Sequence, residues 1–195
     1  MNYIGIDIGS TCAKTVVLNE KKELILEFVQ PTGWSSVDTA EEIRQKLEFA
    51  GINLSNESSH CVATGYGRIS VPYADKTVTE ITCHALGAVH LFQHPDLTVI
   101  DIGGQDTKII QIEQGFVKDF IMNDKCAAGT GRFLEVMANT LSLRPNEMFD
   151  LARLGSDTTI SSMCTVFAES EVIGLIGKGE PKENIAYAVV NSTIS

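Results

Sequence analysis

The chain opens on an apolar run at residues 3–8 (YIGIDI), rich in isoleucine and carrying one polar residue, Asp7. Gly9-Ser10-Thr11 reads as a turn, Ala13 to Leu18 as a second strand, and Glu23 to Val29 as a third after the polar stretch 19–22. Short runs bounded by turn residues predict a three-stranded antiparallel meander. The period then changes. Val37, Ala40, Ile43, Leu47 and Ala50 mark one face of a helix capped by Ser35 or Ser36 and ended by Gly51. Ser59 to Thr64 reads as a strand, Gly65-Tyr66-Gly67-Arg68 as a turn and Thr77 to Ile81 as extended chain. Thr82 to Gln93 reads as a helix, with Glu80 an exposed charge at the junction.

His94-Pro95-Asp96 is the expected lobe boundary, separating 1–95 from 96–195. Beyond it the meander returns as Leu97 to Ile102, the turn Gly103-Gly104-Gln105, Asp106 to Ile112, and Phe116 to Met122 after Gly115. IGIDIGST with AKTVVL parallels TVIDIGGQ with TKIIQI: an apolar strand, an aspartate, a glycine turn, and a lysine near the start of the next strand. This internal repeat is the strongest structural signal in the chain. Two equivalent Asp-Gly turns facing each other across a cleft could clamp the phosphates and Mg²⁺ of a nucleotide. Backbone N–H groups and hydroxyls of Gly9, Ser10 and Thr11 would wrap a phosphate, and Asp7 would hold the metal through water. The common phosphate loop GxxxxGK[ST] is absent, since Gly177-Lys178 is followed by Gly179. TGYGR is not the dinucleotide fingerprint, because position 70 is serine.

Asn123 to Glu135 (NDKCAAGTGRFLE) sets Cys126 among small residues and runs into a helical pattern of Phe133, Leu134, Val136, Met137 and Leu141. N–H groups at that helix start would stabilise a thiolate or cluster sulfur. Cys164 lies in a similar setting, SSMCTVFAESE. A helix from Pro145 through Leu154 closes at Gly155, another covers Phe167 to Ile176 with Glu169 and Glu171 exposed, and Pro181 begins a last one.

The 195 residues carry a net charge of −10 with 44% hydrophobic and 21% charged side chains, a globular composition that argues against nucleic-acid or anionic-membrane surfaces. No apolar run reaches a membrane span, and the N-terminus has no basic leader. Five cysteines without a CxxC pair suggest reduced cytoplasmic thiols or cluster ligation rather than a disulfide framework. Cys12, Cys61 and Cys83 are expected to be small buried hydrophobes.

GIDIGST (5–11), TGYGR (64–68), EITCHALGA (80–88), IDIGGQDTK (100–108), NDKCAAGTGRFLE (123–135) and CTVFAESE (164–171) resemble the ATP-dependent activator of 2-hydroxyacyl-CoA dehydratases, a family that includes benzoyl-CoA reductase ATPase subunits. The resemblance implies the α/β fold of the actin, heat-shock-chaperone and sugar-kinase ATPases, with two ribonuclease-H-like lobes. It implies a homodimer sharing one [4Fe–4S] cluster between Cys126 and Cys164 of each subunit. ATP hydrolysis would drive a low-potential electron to a partner iron–sulfur dehydratase or acyl-CoA reductase, with ferredoxin or flavodoxin as donor. Asp7 and Asp101 would be the Mg²⁺-side carboxylates. Gly9, Ser10, Thr11, Lys14, Gly103, Gly104, Gln105 and Asp106 would surround the phosphates, Gln105 with a catalytic part, and Glu80 would lie near the catalytic water. Family members run on beyond position 195 and carry a Gly-Gly loop at the adenosine. Nothing here matches that loop, so the second lobe is expected to be incomplete at its C-terminus. A small-molecule kinase of the same superfamily, or a non-catalytic nucleotide-binding module, are the competing readings.

Overall fold

A computed structural model describes residues 1–54, 58–161 and 164–193. Ser162 and Met163 of the polar lead-in to Cys164, and the last two residues of the chain, lie outside the described residues. The chain divides into two compact units, residues 1–97 with 111–119, and residues 98–110 with 120–195.

In the first unit β1 (Asn2–Ile8), β2 (Cys12–Leu18) and β3 (Leu24–Pro31) form the expected antiparallel meander. β4 (Ser59–Thr64) pairs parallel to β1, and the two-residue β5 (Lys76–Thr77) pairs parallel to β4, giving the order β3-β2-β1-β4-β5. Alternation in β1 buries Ile4, Ile6 and Ile8 against Ala13, Val17, Cys61 and Ala63 of its neighbours.

Helix α1 (Ser36–Phe49) covers this core with Ala40, Ile43 and Leu47. Ser35 is its N-cap, its hydroxyl accepting the Asp38 N–H at 3.2 Å. Val37, on the side of the helix that carries Glu41 and Arg44, and Ala50, the C-cap residue, do not share the buried face; Thr39 is buried there instead. Its hydroxyl donates to the Ser35 carbonyl at 2.9 Å and the Thr32 carbonyl at 2.5 Å.

Tyr66–Ser70 forms a short 3-10 helix where a simple turn was expected. Helix α2 spans Glu80–Phe92, so Glu80 and Ile81, expected to precede the helix, belong to its first turn.

In the second unit β6 (Leu97–Ile102), β7 (Thr107–Glu113) and β8 (Phe116–Asn123) form a sheet in that order, the division between units falling within these strands. Among the described residues four helices follow: α3 (Gly131–Thr140), α4 (Pro145–Ala152), α5 (Thr165–Gly177) and α6 (Lys182–Thr193). Phe133, Leu134 and Met137 of α3 pack with Met148, Ala168, Val172, Ile185 and Val189 into one core. Glu169 and Glu171 are half-buried rather than exposed, and each has a partner: the Thr140 hydroxyl lies 3.3 Å from Glu169 and the Ser161 N–H donates to Glu171 at 3.2 Å.

Candidate functional site

The two turns singled out by the repeat are built alike. In the first, the Gly9 N–H donates to the Cys12 carbonyl at 3.1 Å; in the second, the Gly103 N–H donates to the Asp106 carbonyl at 2.8 Å. Each aspartate at the end of the leading strand meets the lysine across the hairpin. Asp7 and Lys14 are register partners 2.9 Å apart, and Lys108 lies 3.5 Å from Asp101. The turn tips Ser10, Thr11 and Gln105 are exposed, and Gly9, Gly103 and Gly104 are partly so. In the first turn a carboxylate, two exposed hydroxyl residues and an exposed ammonium at one strand end suit a metal-bound polyphosphate.

The first turn is braced from β3. The Thr32 hydroxyl donates to the Gly9 carbonyl at 2.7 Å, and the Thr32 N–H to the Thr11 carbonyl at 3.1 Å. Behind Asp7 passes Gly65 at φ +83, where a Cβ would stand 2.3 Å from Asp7 Oδ1 and 2.5 Å from the Ile8 carbonyl oxygen. The glycines of TGYGR therefore let this turn lie directly on the end of β1. Arg68 folds its guanidinium onto the Gly65 carbonyl at 2.9 Å. Glu80 is half-buried at the first residue of α2, not the exposed charge the sequence suggested.

The second turn differs beneath its surface. Asp106 is buried, and its carboxylate accepts from Lys108 Nζ at 2.7 Å under Gly103. A Cβ on Gly103 would stand 2.3 Å from Asp106 Oδ1. Asp106, expected at the phosphates, thus shapes the turn from inside, because its oxygens are drawn to the buried Lys108 ammonium.

Cys126 and Cys164 are both exposed. Helix α3 does not begin at Cys126; its N-cap is Thr130. Its first N–H groups are committed elsewhere: Gly131 donates to the Gly103 carbonyl at 2.8 Å and Arg132 to the Gly104 carbonyl at 3.0 Å. They complete the second turn, which corrects the expectation that they face the Cys126 thiolate. A Cβ on Gly131 would lie 3.1 Å from the Gly103 carbonyl oxygen, so the glycine in GTGR serves that close approach. Cys164, in contrast, is itself the N-cap residue of α5.

The Cys126 loop is held at both ends. The Asn123 amide donates to the Cys126 carbonyl at 3.0 Å and the Ala128 carbonyl at 3.2 Å, and its oxygen accepts the Cys126 N–H at 3.3 Å. The Thr130 hydroxyl donates to the Ala127 carbonyl at 2.6 Å, and the Thr107 hydroxyl to the Gly129 carbonyl at 2.5 Å. Asn123 and Thr107 were not among the sequence candidates; an asparagine ahead of a glycine-rich loop is the one local signal that marks the first. Of the remaining cysteines only Cys61 is buried; Cys12 and Cys83 are partly exposed, at variance with expectation. Burial, with help from Asp75, pushes the Cys61 thiol up to about 12. Among the described residues no three His, Cys, Asp or Glu side chains gather as a metal site, and no helix is long and apolar enough to cross a membrane.

Residues 4–195 match the model of the BadF/BadG/BcrA/BcrD ATPase family. The chain is 45% identical over 197 residues to the (R)-2-hydroxyglutaryl-CoA dehydratase activating ATPase of Acidaminococcus fermentans, an alignment covering 98% of this chain and 74% of that protein. It is similar in structure to component A of that dehydratase system, with a TM-score of 0.89 at 43% identity over 99% of this chain and 74% of the other. It is likewise similar to the activator of the 2-hydroxyisocaproyl-CoA dehydratase from Clostridium difficile with bound ADPNP, with a TM-score of 0.88 at 37% identity over 99% of this chain and 72% of the other.

Proposed function

Since the chain belongs to the BadF/BadG/BcrA/BcrD ATPase family, we propose that it is an ATP-hydrolysing iron–sulfur activator that reduces a partner 2-hydroxyacyl-CoA dehydratase or related acyl-CoA reductase. The observation that carries this reading is the hydrogen bonding of the Gly103-Gly104 turn to the start of α3, directly after the Cys126 loop. A nucleotide-sensing turn and a cluster-ligand loop share one rigid piece of backbone.

In this reading Asp7 and Asp101 hold Mg²⁺, Lys14 and Gly104 take up phosphate charge, and Gly9 and Gly103, whose own N–H groups close the turns, let phosphate approach the backbone. Ser10, Thr11 and Gln105 line the exposed side of the turns, and Glu80 orients the attacking water. Asp106 and Lys108 set the curvature of the second turn from beneath.

The exposed thiols fit a [4Fe–4S] cluster: Cys164 stands at the N-cap position of α5, and Asn123 ties the backbone around Cys126 so that its thiol is presented. Such a cluster takes four thiolates, so two copies of the chain contribute Cys126 and Cys164 each across a two-fold axis. When bound it supplies a single low-potential electron to the partner, replenished from a ferredoxin- or flavodoxin-type donor in the cytoplasm.

Iron and acid-labile sulfide analysis of strictly anaerobic protein, with its mass in solution, tests the proposal. About four irons per dimer are expected, lost in Cys126→Ala and in Cys164→Ala. Iron-free protein after reconstitution with iron and sulfide would overturn it.

A further inference from the structure

We infer that Thr107 is a positioning residue that couples nucleotide occupancy of the second turn to the exposure of Cys126. The inference rests on the functional reading above. Thr107 opens β7, one residue beyond the buried Asp106 that underlies the turn. Its hydroxyl donates to the Gly129 carbonyl at 2.5 Å, three residues past Cys126. Two residues further on, Gly131 and Arg132 donate to the turn carbonyls of Gly103 and Gly104.

The turn and the loop are therefore joined twice, once through main-chain bonds at Gly131 and Arg132 and once through the Thr107 hydroxyl. Gly129, at φ +71, is where the loop reverses toward α3. The Thr107 bond holds the carbonyl at that reversal. On the Cys126 side, the three Asn123 amide bonds make residues 123–128 move as one unit, so a shift at Gly129 reaches Cys126 without being absorbed on the way. Phosphate binding at Gly103 and Gly104 moves or stiffens the turn. Thr107 carries that change to the cysteine loop.

The test uses the full chain without cluster, so its readout is independent of electron transfer. A thiol reagent is added with and without Mg²⁺ and ADPNP, and label at Cys126 is followed by peptide mass, with Cys164 as internal reference. Nucleotide is expected to change the Cys126 rate roughly fivefold or more, the lower range of ordinary coupling between sites. Thr107→Val should still bind ADPNP and lose that dependence, while Thr107→Ser should keep it. Overturning results are a nucleotide-dependent Cys126 rate that survives in Thr107→Val, or a wild-type rate that ignores bound ADPNP. If wild type binds no ADPNP at all, the functional reading itself fails, and the inference with it.

Discussion

Replacing Lys108 by methionine should cost the protein several times more stability than the same replacement at Lys14, although the two lysines hold equivalent places in the repeat. The difference follows from solvent. The Lys14 and Asp7 side chains are 48% and 22% exposed, so their pair resembles a surface salt bridge worth about 0–1 kcal/mol. Lys108 is 3% exposed and faces Asp106 at 8% and Asp101 at 28%. Methionine keeps most of the lysine length, so little packing is lost. The ammonium, however, is the counter-charge of a buried carboxylate, and removing one partner of a buried pair costs about 3–5 kcal/mol. Asp101 retains access to water, which places the expected loss near the lower end, about 3 kcal/mol. Urea unfolding followed by circular dichroism reads the difference as a shift in midpoint at similar slope. The double variant Asp106→Leu/Lys108→Met should recover most of the loss, since an apolar pair of similar volume replaces a buried charge pair at little cost. Equal, small losses for Lys14→Met and Lys108→Met, or a double variant no better than Lys108→Met alone, would refute the reasoning.

Two other perturbations test the packing around the site. Gly65→Ala places a Cβ 2.3 Å from Asp7 Oδ1 at φ +83, while Gly51→Ala at φ +80 meets nothing within 4 Å. Both carry the left-handed penalty of about 1–2 kcal/mol, and Gly65→Ala adds overpacking of about 1–3 kcal/mol, so thermal melts should separate the two; coincident melts would contradict the close approach. Cys61, with its thiol raised to about 12 by burial and Asp75, stays protonated between about pH 7 and 9 and should remain unalkylated while Cys126 and Cys164 react; peptide mass showing Cys61 modified at a similar rate would count against its placement in the core.

The hairpin repeat was legible because its signals are local: alternating isoleucines, an aspartate, a glycine turn and a lysine within one short stretch. The start of α2 was less so. Val78 and Ile81 carry β-branched side chains that read as extended chain, yet Thr79 already stands at the N-cap position. The exposure of Val37 was hidden for a similar reason: helical spacing assigns a face but not which residue of the first turn other elements cover. Nor could spacing show that Glu169 and Glu171 find partners on other elements.

By itself the sequence determined the two meanders, their equivalent Asp-Gly turns, and the two cysteines set beside helices. Tertiary structure alone decided what lies beneath the turns: an Asp7–Lys14 pair with an exposed ammonium in one, a buried Asp106–Lys108 pair with Asp101 at its edge in the other. It also decided that the first N–H groups of α3 close the second turn rather than face Cys126. The reason is physical. Turn type and periodicity are set by a residue and its near neighbours, whereas burial of a charge and the destination of a helix-end N–H depend on elements that meet only when the chain has folded.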